Sequence, residues 1–416
     1  MKYITYVGSY TDATHKAGIH IVESDAETGD FRVLGVVDTL ESPTYMALTR
    51  DGTRLYTVLG RQSFGPQGRQ GGLAAFAVRG ERLELLNEIP TGWTIPCHVS
   101  LDPSEQALVY AEYSCGTAGY ANIAPDGSID RDFAGTPGSV NPLFQVQHVG
   151  DGPNKPRQDK AHAHCSIVTP DGKYQLVVDL TLDQIKAYDF ERRALGMKEV
   201  PTMTIDTRSF APGAGPRHIV FHPNGKFAFV IFELGNLVAS FRYTGRGFEH
   251  VATCPLLEGE AMKACKAAAV KVSEDGTQVF CSNRDISRSG YDSITVFNVD
   301  PSTGKMEFLN NAKVGGAYPR DFEFMPGGKF CLVGLKEDWQ VASVAYDKAK
   351  GTIQPPLASG LVWASALLLP WGSYHWAHNL CASLDQTQLG DAQVRQTQRG
   401  STYQWGRCGA WSPFSR

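Results

Sequence analysis

The chain has 416 residues, 42% of them apolar and 20% charged, with a formal net charge of −4. That fits one large soluble domain or two ordinary ones. No block of like charge offers a nucleic-acid surface, and no run reaches the ~18 apolar residues of a membrane span.

The chain opens MKYITYVGSYT, with a single Lys and no long apolar core, so it reads as a strand and not as a secretory leader. YITYVGSY, GIHIVES and FRVLGVVD then give three strands that lack an inner partner. From Pro43 the same pattern recurs: PTYMALTRDGTRLYTV, PCHVSLDPSEQALVYAEY from Pro96, AHCSIVTPDGKYQLVVDL from Ala163, PRHIVFHPNGKFAFVIFEL from Pro216, AAAVKVSEDGTQVFCSNR from Ala267 and PRDFEFMPGGKFCLVGLKED from Pro319. The starts lie 53, 67, 53, 51 and 52 residues apart. Each repeat is two apolar runs around a tight turn, mostly Asp-Gly or Asn-Gly, which is a hairpin pattern. A third strand such as GLAAFAV or SITVFNV follows, then a more polar fourth such as RLELLNEI or MEFLNNA. Helical periodicity is nearly absent, apart from one or two turns expected over 258–268. Four antiparallel strands at a period near 50 describe a β-propeller blade. The chain is therefore expected to be all-β, a seven-bladed propeller over 1–359. Its first blade would borrow an innermost strand from the C-terminal side and so hide a sheet edge.

Two stretches break the pattern. The long gap holds a Gly-, Pro-, Asn- and Gln-rich segment between Cys115 and Gln158, leading into His162-Ala163-His164. Loops of this length are often functional. Residues 360–416 contain no Lys and no Glu but five of the seven Trp, and read as an atypical tail. Only Leu361 to Leu369 offers a closing strand there, and the rest is expected to be poorly ordered. Nine scattered cysteines with no CxxC pair point to reduced thiols and a cytoplasmic setting.

Segments that open the innermost strands of a propeller meet at one face of the central channel. They supply His98, His164, Arg217 with His218, and Arg320 with Asp321; the ends of the second strands supply Asp179, Glu233 and Arg284. Arg217 and Arg284 suit an anion clamp, because a guanidinium offers a planar fork to carboxylate or phosphate, or else interblade salt bridges. Glu233 is either paired with Arg217 or poised as a base. His164 is a proton-transfer candidate or a structural hydrogen-bonding group. His162, two residues away on a strand, would share its face. Arg320 and Asp321 would satisfy each other, and His98 and His218 would cap loops, unless these residues and His162 bind substrate. No metal, cofactor, Walker, G-x-S-x-G or HExxH motif is present. The oligomeric state is left open.

At YVGSYT, AHCSIVTPDGKYQLVVDL, CSNR, YPRDFEFMPGGKF and above all GAGPRHIVFHPNGKFAFVIFEL, the chain resembles the seven-bladed propeller lactonases, whose relatives include fungal muconate-lactonizing cyclases. The likeness covers about residues 3 to 358. It implies a site built from His164, Arg217, Arg284 and Glu233, acting without a metal on a small anionic lactone. The leading candidate is 6-phosphogluconolactone. The alternatives are a muconate-type cycloisomerase and a non-catalytic binding propeller. The chain departs from the family at Ile231-Phe232, where an Asn often precedes Glu-Leu, at an insert from Asp285 to Tyr291, and in the tail.

Overall fold

The computed structural model describes residues 1–12, 15–66, 68, 70–130, 144–354, 358–360 and 367–368, the last two stretches as backbone only. Seven antiparallel sheets form a seven-bladed β-propeller. From the inside outward, blade 2 runs Met46–Leu48, Arg54–Gly60, Gly71–Arg79 and Arg82–Pro90, and blade 3 runs His98–Leu101, Ala107–Glu112, Thr117–Asn122 and Gln145–Gln147. Blade 4 runs Ala163–Val168, Tyr174–Asp179, Gln184–Asp189 and Ile205–Asp206; blade 5 runs Pro216–Phe221, Phe227–Phe232, Leu237–Tyr243 and Phe248–Pro255. Blade 6 runs Cys265–Val272, Gln278–Asp285, Ser293–Val299 and Met306–Lys313. Blade 7 runs Pro319–Phe324, Phe330–Leu335, Gln340–Asp347 and Thr352–Ile353, with Ala358–Gly360 as an extra strand on Gln340–Asp347.

Blade 1 contains the N-terminal strands Lys2–Gly8, Ile19–Asp25 and Phe31–Val37, and its inner strand is Leu367–Leu368, paired with Val7 and Gly8. The closing strand thus falls inside the expected segment but spans two residues. The expected boundary after residue 359 falls within the strand Ala358–Gly360. The remainder of the 360–416 tail lies outside the described residues.

The turn chemistry explains the hairpins. In blade 2 the Asp51 carboxylate accepts from the Thr53 amide at 2.9 Å while Gly52 takes a φ of 68°. Asn224-Gly225 and Asp275-Gly276 repeat the arrangement. Blade 3 has no glycine there, and Asp102 holds the turn by accepting from the amides of Gln106 and Ala107 at 2.8 and 2.7 Å.

The second strands of blades 2 to 7 are buried along almost their whole length, as in Phe227–Phe232, and apolar side chains pack between neighbouring blades; Ile167, Leu176 and Val178 of blade 4 meet Ile219, Val230 and Phe232 of blade 5. Among the described residues the one α-helix is Gly259–Ala264. The rest of the expected helix is strand: the Ala-rich CKAAAVKV forms the inner strand of blade 6, where burial between blades outweighs the helix propensity of alanine.

Candidate active site

The site begins with a backbone irregularity that three blades share. Pairing of the inner strand slips by one residue between Ala163 and Cys165, between Pro216 and His218, and between Pro319 and Asp321. The extra residues are His164, Arg217 and Arg320. A bulge re-aims the side chain of its extra residue, and here it turns all three toward one mouth of the channel. Blade 6 slips between Ala267 and Val270, which leaves backbone carbonyls facing that mouth. Arg217 donates to the carbonyl of Ala268 at 2.7 Å, and Arg284 to that of Ala267 at 2.7 Å. Gly215, at a φ of 63°, leads into the blade 5 bulge; a Cβ there would come within 3.0 Å of the Leu180 and Leu234 side chains.

Glu233 is the centre of the cluster. Its Oε2 accepts from Arg217 Nε at 3.0 Å and lies 3.2 Å from Arg284 Nη2, while its Oε1 accepts from Arg157 Nη2 at 2.7 Å. Three guanidinium groups therefore share one buried carboxylate. Burial alone would raise its pKa, but Arg284, Arg217 and Arg157 together hold it well below the usual carboxylate range. Burial, reinforced by Arg284, brings Arg217 down to about 10, still cationic at neutral pH. Arg284 also lies over the Tyr318 ring at 5.2 Å.

His164 sits beside this cage. Burial and then Arg217 push its pKa well below 6.5, so the imidazole is neutral at physiological pH. Its Nδ1 is buried with no hydrogen-bond partner. Its ring meets those of Tyr113 and His218 edge-on, at 5.5 and 5.2 Å. A neutral imidazole with an unbonded ring nitrogen has a lone pair to accept a proton, although burial and Arg217 make it a weak base, whereas both oxygens of the caged Glu233 are taken up by guanidinium groups.

The other candidates divide. His218 and His98 cap no loops. They form an aromatic cluster with Tyr45 in the channel, His98 lying 4.2 Å from Tyr45 and 5.6 Å from His218, and burial drives both imidazoles neutral. His162 stacks flat on Tyr113 at 4.2 Å and bonds the Tyr113 carbonyl and the Asp159 carboxylate, so it supports Tyr113 from behind. Arg320 and Asp321 do not pair. Each has another partner: Arg320 lies over the Tyr10 ring at 5.5 Å, and Asp321 faces Lys271 at 3.7 Å. Asp179 turns away from the mouth and accepts from the backbone amides of His162, Thr181 and Leu182. The Asp285–Tyr291 insert is a turn held by Asp285, which accepts from the amides of Ser287 and Tyr291, each at 2.9 Å. No group of three or more His, Cys, Asp or Glu able to hold a metal occurs among the described residues.

Arg157 and Tyr113 were not anticipated. Arg157 comes from the long segment that interrupts the repeat. It is fixed through its neighbour Gln158, a buried side chain that donates to the Leu180 carbonyl and to Asp183, which in turn accepts from the Gly215 amide. Tyr113, whose hydroxyl accepts from Arg157 at 3.3 Å, holds the position in blade 3 that Glu233 holds in blade 5. Counting back four residues from each third strand would have found it.

The comparisons agree with this architecture. The chain is 32% identical over 356 residues to a 6-phosphogluconolactonase of Bacillus subtilis (strain 168), an alignment covering 85% of this chain and 93% of the relative. A 6-phosphogluconolactonase of Formosa agariphila is 26% identical, with 84% and 94% covered. The solved structure of the periplasmic gluconolactonase of Pseudomonas aeruginosa superposes with a TM-score of 0.77 at 26% identity, covering 89% of this chain and 99% of that one. The family model described as "Lactonase, 7-bladed beta-propeller" matches residues 4–360, and the chain belongs to that family.

Proposed function

We propose that the protein hydrolyses a sugar lactone, with 6-phosphogluconolactone the leading substrate. The observation that carries the reading is the neutral His164, its Nδ1 buried and unbonded, beside a fixed Arg217–Glu233–Arg284 cage. His164 takes a proton from water as the oxygen attacks the lactone carbonyl carbon. Arg217 and Arg284 face the oxyanion that develops. The tetrahedral intermediate then collapses, the ring C–O bond breaks, and the imidazolium returns its proton to the departing alkoxide. The hydroxy acid formed ionises and releases one proton to solvent.

Glu233 has a different part: it remains ionised and holds three guanidinium groups in register, so that they need not reorganise when the charge appears. Sugar lactones open slowly in water unaided, so the acceleration required is modest and no covalent nucleophile is needed. Proton release from 6-phosphogluconolactone, above the uncatalysed rate, tests the reading. Consumption of a muconate in place of the lactone would assign a cycloisomerase. The free thiols of the seven described cysteines support a cytoplasmic setting as part of the same proposal; cell fractionation that finds the protein outside the cytoplasm would remove that part.

A further inference from the structure

The guanidinium groups at the mouth are not balanced alike. Arg157, Arg217 and Arg284 share Glu233. Arg320 forms no ion pair with any described residue, and its Nε is buried without a hydrogen-bond partner. The nearest carboxylate in sequence, Asp321, is engaged by Lys271. Arg320 is half-buried, a cation without an ion pair gains from an arriving anion, and Arg320 also lies close enough to Arg217 and His164 to act on their charged forms. Four guanidinium groups against one carboxylate leave the mouth with an excess of positive charge.

We propose that Arg320, backed by the Tyr10 ring, is the specificity-determining contact for a phosphate group carried by the substrate away from the lactone carbonyl. Its bulge directs it to the same mouth as His164 and Arg217, from blade 7, which carries no member of the Arg217–Glu233–Arg284 cage. A guanidinium fork binds a phosphate dianion through charge-assisted bonds, and a dianion would offset the excess charge. A neutral sugar lactone leaves Arg320 unsatisfied. The inference rests on the lactonase reading.

Calorimetry of the full chain with 6-phosphogluconate and with gluconate tests the contact apart from turnover. The wild type is expected to bind the phosphorylated acid at least about tenfold more tightly. Arg320→Gln should abolish most of that preference and leave gluconate binding within about twofold, with Arg320→Lys intermediate. Because Arg320 makes no ion pair that the substitution would break, the Tm of Arg320→Gln should hold within a few degrees. Equal weakening of both ligands, no weakening of either, or a large fall in Tm would overturn the proposal. Turnover separates the two readings. A wild type that binds phosphate through Arg320 but opens no lactone removes the lactonase assignment alone. One that opens both lactones equally well removes only this inference.

Discussion

Asp179 of blade 4 and Glu233 of blade 5 are carboxylates at the ends of neighbouring second strands, and they face opposite ways. Asp179 is the last residue of its strand, paired across a four-residue connection with Gln184; in blade 5 that place belongs to Phe232, paired with Leu237. Glu233 is one residue further on. Side chains alternate along a strand, so an offset of one reverses the face. Asp179 therefore turns into its blade, where it accepts three backbone amides and bonds His148 at 2.7 Å. Glu233 faces the channel and gathers three arginines. In blade 3 the Asp179 position is Glu112, a third buried carboxylate in a third state: it accepts from the Cys115 thiol at 3.0 Å and burial lifts its pKa to about 8. Hairpin register, and not distance from an apolar run, decides which blade residues reach the mouth.

That contrast is open to attack at each carboxylate. Glu233→Gln should have the largest effect. It leaves three buried or half-buried guanidinium groups without their anion, at a cost of about 3–5 kcal/mol in a denaturant titration, and lactone turnover should fall at least a hundredfold. The sign of the pH dependence follows from the depressed pKa: the stability Glu233 contributes is present above the ordinary carboxylate value of 4.5 and is lost as the pH falls below it. The stability difference between wild type and Glu233→Gln should therefore shrink on acidification; a difference that stays constant from pH 6 to pH 3 would contradict the ionised cage.

His164→Gln is expected next, with a fall of about 10²–10⁴ in kcat and a folded state of nearly wild-type stability. Since the imidazole pKa lies well below 6.5, background-corrected wild-type turnover should stay level as the pH drops through 6.5. A midpoint at 6.5 itself would mean a solvated histidine. Asp179→Asn should lower stability by about 1–3 kcal/mol through its backbone amides while kcat/KM on the lactone changes less than about tenfold. A greater loss of turnover than of stability would place Asp179 in the site after all.

Glu112→Gln should do least, being close to neutral at pH 6. Its slope is opposite to that of Glu233. The folded-state pKa of Glu112 is raised, so its contribution is present below 4.5 and is lost as the pH rises through about 8. The variant should overtake the wild type in stability at pH 9, and a wild type that remains ahead there would show that the carboxyl is not buried in its neutral form.

The fold was legible because each blade states it locally. Asp51-Gly52, Asn224-Gly225 and Asp275-Gly276 are turns whose chemistry is complete within a few residues. Arg217, Glu233 and Arg284 were legible as charged residues where an apolar chain should continue. What escaped depends on registers that composition does not display. Arg320 and Asp321, neighbours of opposite charge, are kept from pairing by a partner from another blade, since Lys271 engages Asp321. The offset at Asp179 reverses a face. Arg157 reaches Glu233 only through the packing of Gln158 against Asp183, a long-range arrangement that the repeat pattern does not encode.

The most direct test is proton release from 6-phosphogluconolactone, followed at constant pH with purified wild type and His164→Gln at equal concentration. Acceleration by the wild type that all but vanishes in the variant is the predicted result. Equal acceleration by both proteins, or none by the wild type, would contradict the assignment of lactone opening to this mouth.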